Sequence, residues 1–378
     1  MVALLALGAG ALAAAGLVQQ AIGSALAARM VRGVAIGAPN WPPVTVLKPL
    51  HGSDSLLESA LESWFVLDYP ELQLVFGVAD ADDPALAVLA QLQARYPDRD
   101  VQTVIDPTLH GKNRKIGNLI NMMPITKHDI LLIADADMHV ASDYLRAVVT
   151  ALQAPGVGLV TTLYTGLAGS ETLAARVGVA QINDGFLPAA ALARRLGRQD
   201  CLGATMALRR ETLTAIGGLA ALVEHLADDN VLGRLVRAQG LRIDFAPVIP
   251  ATGVMETRLR DLWAHGLRWA RTIRALVPIA YFGVILQFPL FWAGLALVLS
   301  GFSTGGLIGF AVVLLLRYAL ARRLERALRL RPLVTPWQLL VSDMLAAALF
   351  LASFFGDQVM WRGQMMRADN GQPKNDGR

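Results

Sequence analysis

Several groups of polar residues in an otherwise apolar chain have the types and spacing needed to handle a charged diphosphate. Asp135-Ala136-Asp137 closes the apolar run Ile130-Leu131-Leu132-Ile133-Ala134. Two hard carboxylates one residue apart at the mouth of a buried strand suit Mg2+ or Mn2+, ions that keep waters and share their sites with substrate phosphates. Such an ion would offset the charge developing on a departing diphosphate, which points to group transfer from an activated nucleotide. An ordinary polar loop is the competing reading of these three residues taken alone. His139 reads as a supporting or surface residue rather than a metal ligand.

Asp80 directly follows the run Leu72–Val78, in the cluster Asp80-Ala81-Asp82-Asp83. A solvated turn accounts for Asp82 and Asp83, with Asp83 the expected cap of a helix that Pro84 opens. Asp80 is placed either in that turn or to accept hydrogen bonds from a nucleotide base or ribose. Asp228-Asp229 precedes the helical pattern Val231, Leu232, Leu235, Val236. The pair either caps that helix or supplies a general base, Asp229 before Asp228, that takes a proton from an acceptor hydroxyl. One base with no second carboxylate acting as nucleophile means direct displacement, with inversion at the reacting carbon. Lys115 has two readings, a phosphate contact or a solvated loop lysine. His265, Arg268 and Trp269 stand at i, i+3 and i+4 and share a helix face. Arg268 can fork onto a diphosphate, and Trp269 can pack on a sugar or an acceptor.

The elements that must position these groups alternate. Strands are expected at Val44–Leu47, Leu72–Val78, Val101–Ile105, Ile130–Ala134 and Gly158–Leu163, with helical patterns between them. This is the pattern of an α/β domain with a mostly parallel sheet covered on both faces. Open sheets of this kind bind ligands beyond the carboxyl ends of their strands, where Asp80 and Asp135 fall. The stretch Thr257–Ala275 carries an apolar stripe of Leu259, Leu262, Trp263, Leu267, Ala270 and Ile273 beside five arginines, as in a helix lying on a membrane.

Composition calls for that membrane. Apolar residues make up 54% of the chain and charged residues 17%, against roughly 45–50% and about 25% in soluble proteins. The excess lies at the two ends. Val2 to Ala28 lacks a basic leading region and outruns a signal-peptide core, so it reads as an uncleaved anchor. Arg29 and Arg32 behind it put the central domain in the cytosol. Ala275–Leu299 can cross about 30 Å of hydrocarbon, whereas Gly305–Leu320 is marginal and carries Arg317, which can snorkel to the interface. Pro336–Phe355 is a third candidate span. The connector with Arg322, Arg323, Arg326, Arg329 and Arg331 reads as cytosolic. Three crossings would then leave a tail with Arg362, Arg367, Lys374 and Arg378 outside, mildly against the positive-inside rule. The net charge of +4 is too small to imply nucleic acid, and anionic lipid is the better counterpart. The single cysteine, Cys201, excludes an internal disulfide or a Cys-rich metal site and reads as a small half-buried residue.

The order Asp80, Asp135-Ala136-Asp137, Asp228-Asp229, His265-Gly266-Leu267-Arg268-Trp269 resembles the D, DxD, D, (Q/R)xxRW series of the ceramide glucosyltransferase family. Leu47-Lys48-Pro49-Leu50-His51-Gly52, Leu67-Asp68-Tyr69-Pro70 and Trp361-Arg362-Gly363 also resemble it, so the likeness runs from about Val44 to Gly363. It implies the A-type glycosyltransferase fold. Asp80 would contact the uridine, Asp135 and Asp137 the metal and UDP, and Asp229 the acceptor hydroxyl. His265, Arg268 and Trp269 would close the site beside the membrane. The series departs at His265, where the animal enzymes have Arg or Gln. Gly111–Ile116, Asn118–Asn121 and Arg268–Arg274 are similar to a bacterial hopanoid-associated branch, which implies N-acetylglucosamine and a hopanoid polyol.

The expected layout is an anchor over 1–28, a cytosolic glycosyltransferase domain over 35–256, an interfacial helix over 257–274, a transmembrane region of about three helices over 275–355, and a polar tail over 356–378. The expected activity is transfer of a sugar from UDP-glucose or UDP-N-acetylglucosamine to the hydroxyl of ceramide or a hopanoid, with Mg2+ or Mn2+, at a bacterial inner membrane. A processive polysaccharide synthase and a non-catalytic nucleotide-sugar-binding protein are the alternatives. A transporter would instead carry its ionisable groups inside the spans.

Overall fold

The computed structural model describes residues 1–31, 41–361 and 364–367. Arg32, the expected domain start at residue 35, Arg362, Gly363, Lys374 and Arg378 lie outside the described residues. The chain forms two compact units: a sheet unit of Gly33–Tyr164 with Gln199–Gly253 and the last residues, and a helical unit of Met1–Arg32, Thr165–Arg198 and Val254–Asn370.

In chain order the strands before residue 255 are β1 (Val44–Pro49), β2 (Leu72–Val78), β3 (Asp100–Ile105), β4 (Ile130–Ala134), β5 (Met138–His139), β6 (Val157–Thr161), β7 (Thr165–Ala168, in the helical unit), β8 (Thr205–Arg209), β9 (Arg242–Phe245) and β10 (Ala251–Val254). The main sheet runs β3-β2-β1-β4-β8-β6-β9. The first four strands are parallel, β8 is antiparallel to both β4 and β6, and β9 is parallel to β6. β1, β2 and β4 are buried throughout, which is why they read as near-continuous apolar runs rather than as alternation. One face packs around Trp64, Phe65 and Phe76, the other around Leu47, Ile133, Met206 and Leu232. Polar groups inside the sheet are paired: Thr45 Oγ1 donates to Gln73 Oε1 at 2.7 Å, and Gln73 Nε2 donates to Ile125 O at 2.9 Å.

Strand order reverses between β1 and β4, since β2 and β3 lie on one side of β1 and β4 on the other. That is the crevice where such sheets take ligands. β4 delivers Asp135, and a short ladder, β5 antiparallel to β10, follows it. Trp64 holds this corner, donating from Nε1 to Met138 O at 2.9 Å and meeting Tyr144 edge to face at 5.7 Å.

In the helical unit, Val2–Met30 and Thr304–Ala327 are the helices, among those described, long and apolar enough to cross a membrane. The marginal span expected at Gly305–Leu320 is therefore a 24-residue helix. The span expected from Ala275 to Leu299 is broken into Pro278–Gln287 and Pro289–Leu299, bent by 65°. Pro289 disfavours helical backbone at Phe288, which sits at φ −119°, ψ 57°. Pro336–Ala352 has 17 residues. Part of the expected polar tail is a hairpin of Gln358–Trp361 with Gln364–Arg367. Close helix approach uses small residues: a Cβ on Gly16 would strike the Leu286 carbonyl, and one on Gly23 the Pro188 backbone.

Arg317 does not snorkel. It is buried, and its Nη2 donates to Asp343 Oδ1 at 3.3 Å and Asp184 O at 3.2 Å. Asp343 Oδ2 in turn accepts from Leu290 N at 3.0 Å. The partners lie far away in the chain, so hydropathy alone left the arginine with nowhere to go but the interface.

Trp64 fixes the corner that carries Asp135 and Asp137, so Trp64→Ala is expected to cost about 3–5 kcal/mol. Thermal unfolding of the purified protein in detergent checks this; a melting temperature within a degree of the parent would refute the role of Trp64.

Candidate active site

The site in the sheet unit is built on three loops. Asp135 and Asp137 stand immediately beyond β4, in the turn that leads to β5, where Asp135 N donates to Ala204 O at 3.4 Å and Met138 N to Asp135 O at 3.4 Å. The Arg114–Met122 helix is capped by Asn113, whose Oδ1 accepts from Ile116 N at 3.1 Å, and its first turn carries Lys115. The Asp228–Ala238 helix begins with the two acids themselves, N-capped at Ala227.

Lys115 is buried in that turn, which excludes the solvated-loop reading. Its Nζ lies 2.6 Å from Asp135 Oδ1 and 4.0 Å from Asp228 Oδ2, and donates to Gly203 O at 3.3 Å. Burial alone would lower its pKa, but the charges of Asp135 and Asp228 outweigh that and hold it above the ordinary lysine value. Asn113 Nδ2 donates to Asp228 Oδ1 at 3.1 Å and to His225 O at 2.8 Å. Asp229 Oδ2 accepts from Gly203 N at 2.8 Å and Oδ1 from Asn230 N at 2.7 Å. Burial, then the neighbouring Asp228 charge, push the Asp229 carboxyl up to about 7, and burial raises Asp228 as well. The N-terminal end of a helix favours carboxylates; here loss of hydration outweighs it.

Asp137 Oδ2 accepts from Thr252 Oγ1 of β10, and burial together with the Asp135 charge raises its pKa. Lys48, fully buried at the end of β1, donates from Nζ to Asp135 O at 2.6 Å and sits 4.3 Å from the Trp64 ring centroid. Burial lowers its pKa to about 7. His139 hydrogen-bonds Asp137 O at 3.2 Å and Ser59 Oγ at 3.0 Å, away from the carboxylates.

Asp80 is exposed just past β2, and its Oδ1 accepts from Asp82 N at 3.0 Å. The Ala85–Arg95 helix has Pro84, not the expected Asp83, at its N-cap position; Asp83 Oδ1 accepts from Ala85 N at 2.9 Å and from Gly52 N at 3.0 Å. Cys201 is buried rather than half-buried, and burial raises its thiol pKa.

Lys48, Asn113, Gly203 and Thr252 were not assigned roles from the sequence. Asn113 had a local signal, a helix cap before Lys115; Lys48, Gly203 and Thr252 had none.

The helical unit carries the remaining residues on its Leu259–Leu276 helix, of which only Leu262 is buried. His265 Nδ1 hydrogen-bonds Glu256 Oε1, which keeps the Glu256 carboxyl below its usual range despite partial burial. The His265 and Trp269 rings meet edge to face at 4.9 Å, and Phe186 lies 6.4 Å from Trp269.

A mixed sheet with acidic residues beyond the carboxyl ends of β2 and β4 is the architecture of an A-type glycosyltransferase. The likeness to a mannosyltransferase from Pyrobaculum calidifontis, solved with GDP-Man and Mn2+, has a TM-score of 0.53 at 19% identity and covers 94% of this chain and 99% of that one. The profile of glycosyl transferase family 21 matches residues 8–373, and the chain belongs to that family. Ceramide glucosyltransferase 3 of Caenorhabditis elegans is 22% identical over 345 residues, 86% of this chain and 72% of that protein. Ceramide glucosyltransferase of Candida albicans is 33% identical over 121 residues, 29% of this chain; the match spans 22% of that protein's length. Beta-monoglucosyldiacylglycerol synthase of Trichormus variabilis is 25% identical over 61% of this chain and 48% of that protein.

Replacing Lys115 by methionine leaves Asp135 and Asp228 without their shared cation, at a cost of about 3–5 kcal/mol. Burial raises the Asp228 carboxyl, and its protonation at lower pH removes a charge that Lys115 otherwise offsets, so the loss in melting temperature should be greater at pH 8 than at pH 5.5. Equal losses at the two pH values would show that the cation does not compensate these acids.

Proposed function

We propose that the protein transfers a sugar from a UDP-sugar to the hydroxyl of a membrane lipid, with inversion, and that Asp229 is the base. The observation that carries the reading is the Asp229 carboxyl, placed by Gly203 N and Asn230 N and raised to about 7. A base of that strength is half-ionised near neutral pH, where proton transfer is most effective. Asp229 takes the proton of the acceptor hydroxyl as its oxygen bonds to the anomeric carbon. The bond from that carbon to the UDP oxygen breaks, and UDP leaves with the electron pair.

Asp135 and Asp137 fit a divalent ion by donor chemistry: both are hard oxygen donors, and burial together with the Asp135 charge, which raise Asp137, favour a cation beside them. Bound there, Mg2+ or Mn2+ would neutralise charge developing on the diphosphate. Among the described residues no group of three His, Cys, Asp or Glu side chains is arranged to hold a metal alone, so phosphate and water oxygens would complete the shell. Lys48 orients the Asp135 loop through its carbonyl. Asp228 is held by Asn113 and Lys115 and supports Asp229 rather than acting as the base. Asp80 is assigned to the uridine. The roles of His265, Arg268 and Trp269, donor and acceptor contact, rest on their motif.

A lipid acceptor is supported by the apolar helices of the helical unit and by the lipids in the relatives' names, ceramide as acceptor and monoglucosyldiacylglycerol as product. Ceramide and a hopanoid are the two acceptors to offer, with UDP-glucose and UDP-N-acetylglucosamine as donors. The catalytic side is assigned to the cytosolic face of a bacterial inner membrane, because Arg29 follows the first span.

Mass spectrometry of products from each donor and acceptor pair is expected to find a lipid carrying one sugar; a polymer would overturn the single-transfer reading. Asp229→Asn is expected to lower kcat by about 10²- to 10⁴-fold while leaving UDP binding, measured by calorimetry, within a few-fold. In the parent, kcat/KM should rise with pH as Asp229 loses its proton, with an acidic limb near 7. Normal turnover in Asp229→Asn would refute the base, and full activity in excess chelator would refute the metal role of Asp135 and Asp137.

A further inference from the structure

The end of the helical unit is bonded back to its interfacial helix. Arg271 Nη1 donates to Gln358 O at 2.7 Å and Nη2 to Phe355 O at 2.5 Å, and Arg274 Nη2 donates to Gly356 O at 3.1 Å. Tyr281 OH donates to Ser353 Oγ at 3.0 Å, and the Arg274 guanidinium lies 5.7 Å from the Phe354 ring centroid. Arg271 and Arg274 precede every apolar segment of the C-terminal region; residues 353–358 follow all of them. Two stretches hydrogen-bonded to each other lie on one face of a bilayer. The number of crossings between them is therefore even, not the three expected from hydropathy.

Helix lengths say which segment does not cross. Thr304–Ala327 has 24 residues, about 36 Å, enough for roughly 30 Å of hydrocarbon. Pro278–Gln287 and Pro289–Leu299, bent by 65°, together are long and apolar enough for one broken span. Pro336–Ala352 has 17 residues, about 25 Å, and buries Gln338, Ser342 and Asp343 against the protein.

We infer that Pro336–Ala352 does not cross the bilayer, and that the Gln358–Arg367 hairpin docks on the lipid surface of the same leaflet as the Leu259–Leu276 helix. The hairpin is two-faced. Val359 and Met366 pair across it and are buried, while Met360 and Met365 pair on the other face, 60% and 58% exposed. Phe355, which precedes the hairpin, is 77% exposed, and Phe282, also exposed, lies 5.8 Å from the Phe354 ring. Arg271 and Arg274 border the hairpin, and Arg367 there pairs with Asp357; apolar side chains beside guanidinium groups are the arrangement that enters a leaflet and meets anionic headgroups. Continuity with the membrane-crossing helices and this cationic border name the occupant as lipid. Arg367 then lies on the face where the positive-inside rule places it.

The test uses the full chain in sealed vesicles, in a Cys201→Ser background, with single cysteines at Arg260→Cys, Phe302→Cys and Arg367→Cys and a membrane-impermeant maleimide. Arg260→Cys and Arg367→Cys should label from one side and Phe302→Cys from the other. Arg367→Cys labelling opposite Arg260→Cys would overturn the shared face. Phe302→Cys labelling with Arg260→Cys would overturn the choice of Pro336–Ala352 as the segment that stays. An environment-sensitive fluorophore on Met365→Cys should be quenched by nitroxide-labelled lipid in vesicles containing phosphatidylglycerol; water-like emission without quenching would overturn the lipid docking.

Discussion

One buried ammonium group governs the sheet unit. Lys115 reaches Asp135, Asp228 and the Gly203 carbonyl from the first turn of its helix. A cation at a helix N-terminus opposes the local dipole and loses hydration, so its position is tenable only because acids from two other loops surround it. Those acids are equally dependent on it: Asp228 is raised by burial even with Lys115 nearby. The order of β1, β4 and β8 matters because it brings three loops from distant parts of the chain to one amine.

Lys48 serves the same corner from beneath. It is fully buried, it touches the Asp135 carbonyl rather than its carboxylate, and it lies over Trp64. The carboxylate of Asp135 is thereby left to Lys115 on one side and to the crevice on the other. Asp137 is separated by its bond to Thr252, so the two members of one short motif have different surroundings and different roles can follow. The helical unit meets the same problem differently. Arg317 is neutralised by Asp184 and Asp343 inside the bundle, and small residues at Gly16 and Gly23 let backbones meet without a polar bridge.

Much of this was legible in the residues. Leu72–Val78 and Ile130–Ala134 read as strands with correct bounds because they are buried on both faces and therefore apolar throughout. The acid pair after β4 was placed at the ligand end of the sheet by that reading alone. Lys48 stood just past the expected strand Val44–Leu47; the strand runs on to Pro49, and the lysine inside it is sealed beside Trp64. The break at Phe288 was present in the sequence as Pro289, but a hydropathy window averages over a proline and sees one long span. Arg317 seemed to have only the interface as an outlet because Asp184 stands 133 positions away.

The sequence by itself determined the class of the protein: a membrane-associated member of a sugar-transferring family, with an acid series at strand and helix ends. Period, burial of whole runs and motif spacing are local properties, and a local pattern carries them intact. Tertiary structure decided which lysine meets which carboxylate, that Asp229 is pushed towards neutrality, and that the chain's end is bonded to Arg271. The cost of losing water and the strength of a charge pair depend on what lies within a few ångströms, and in a folded chain those neighbours come from positions that no local pattern connects.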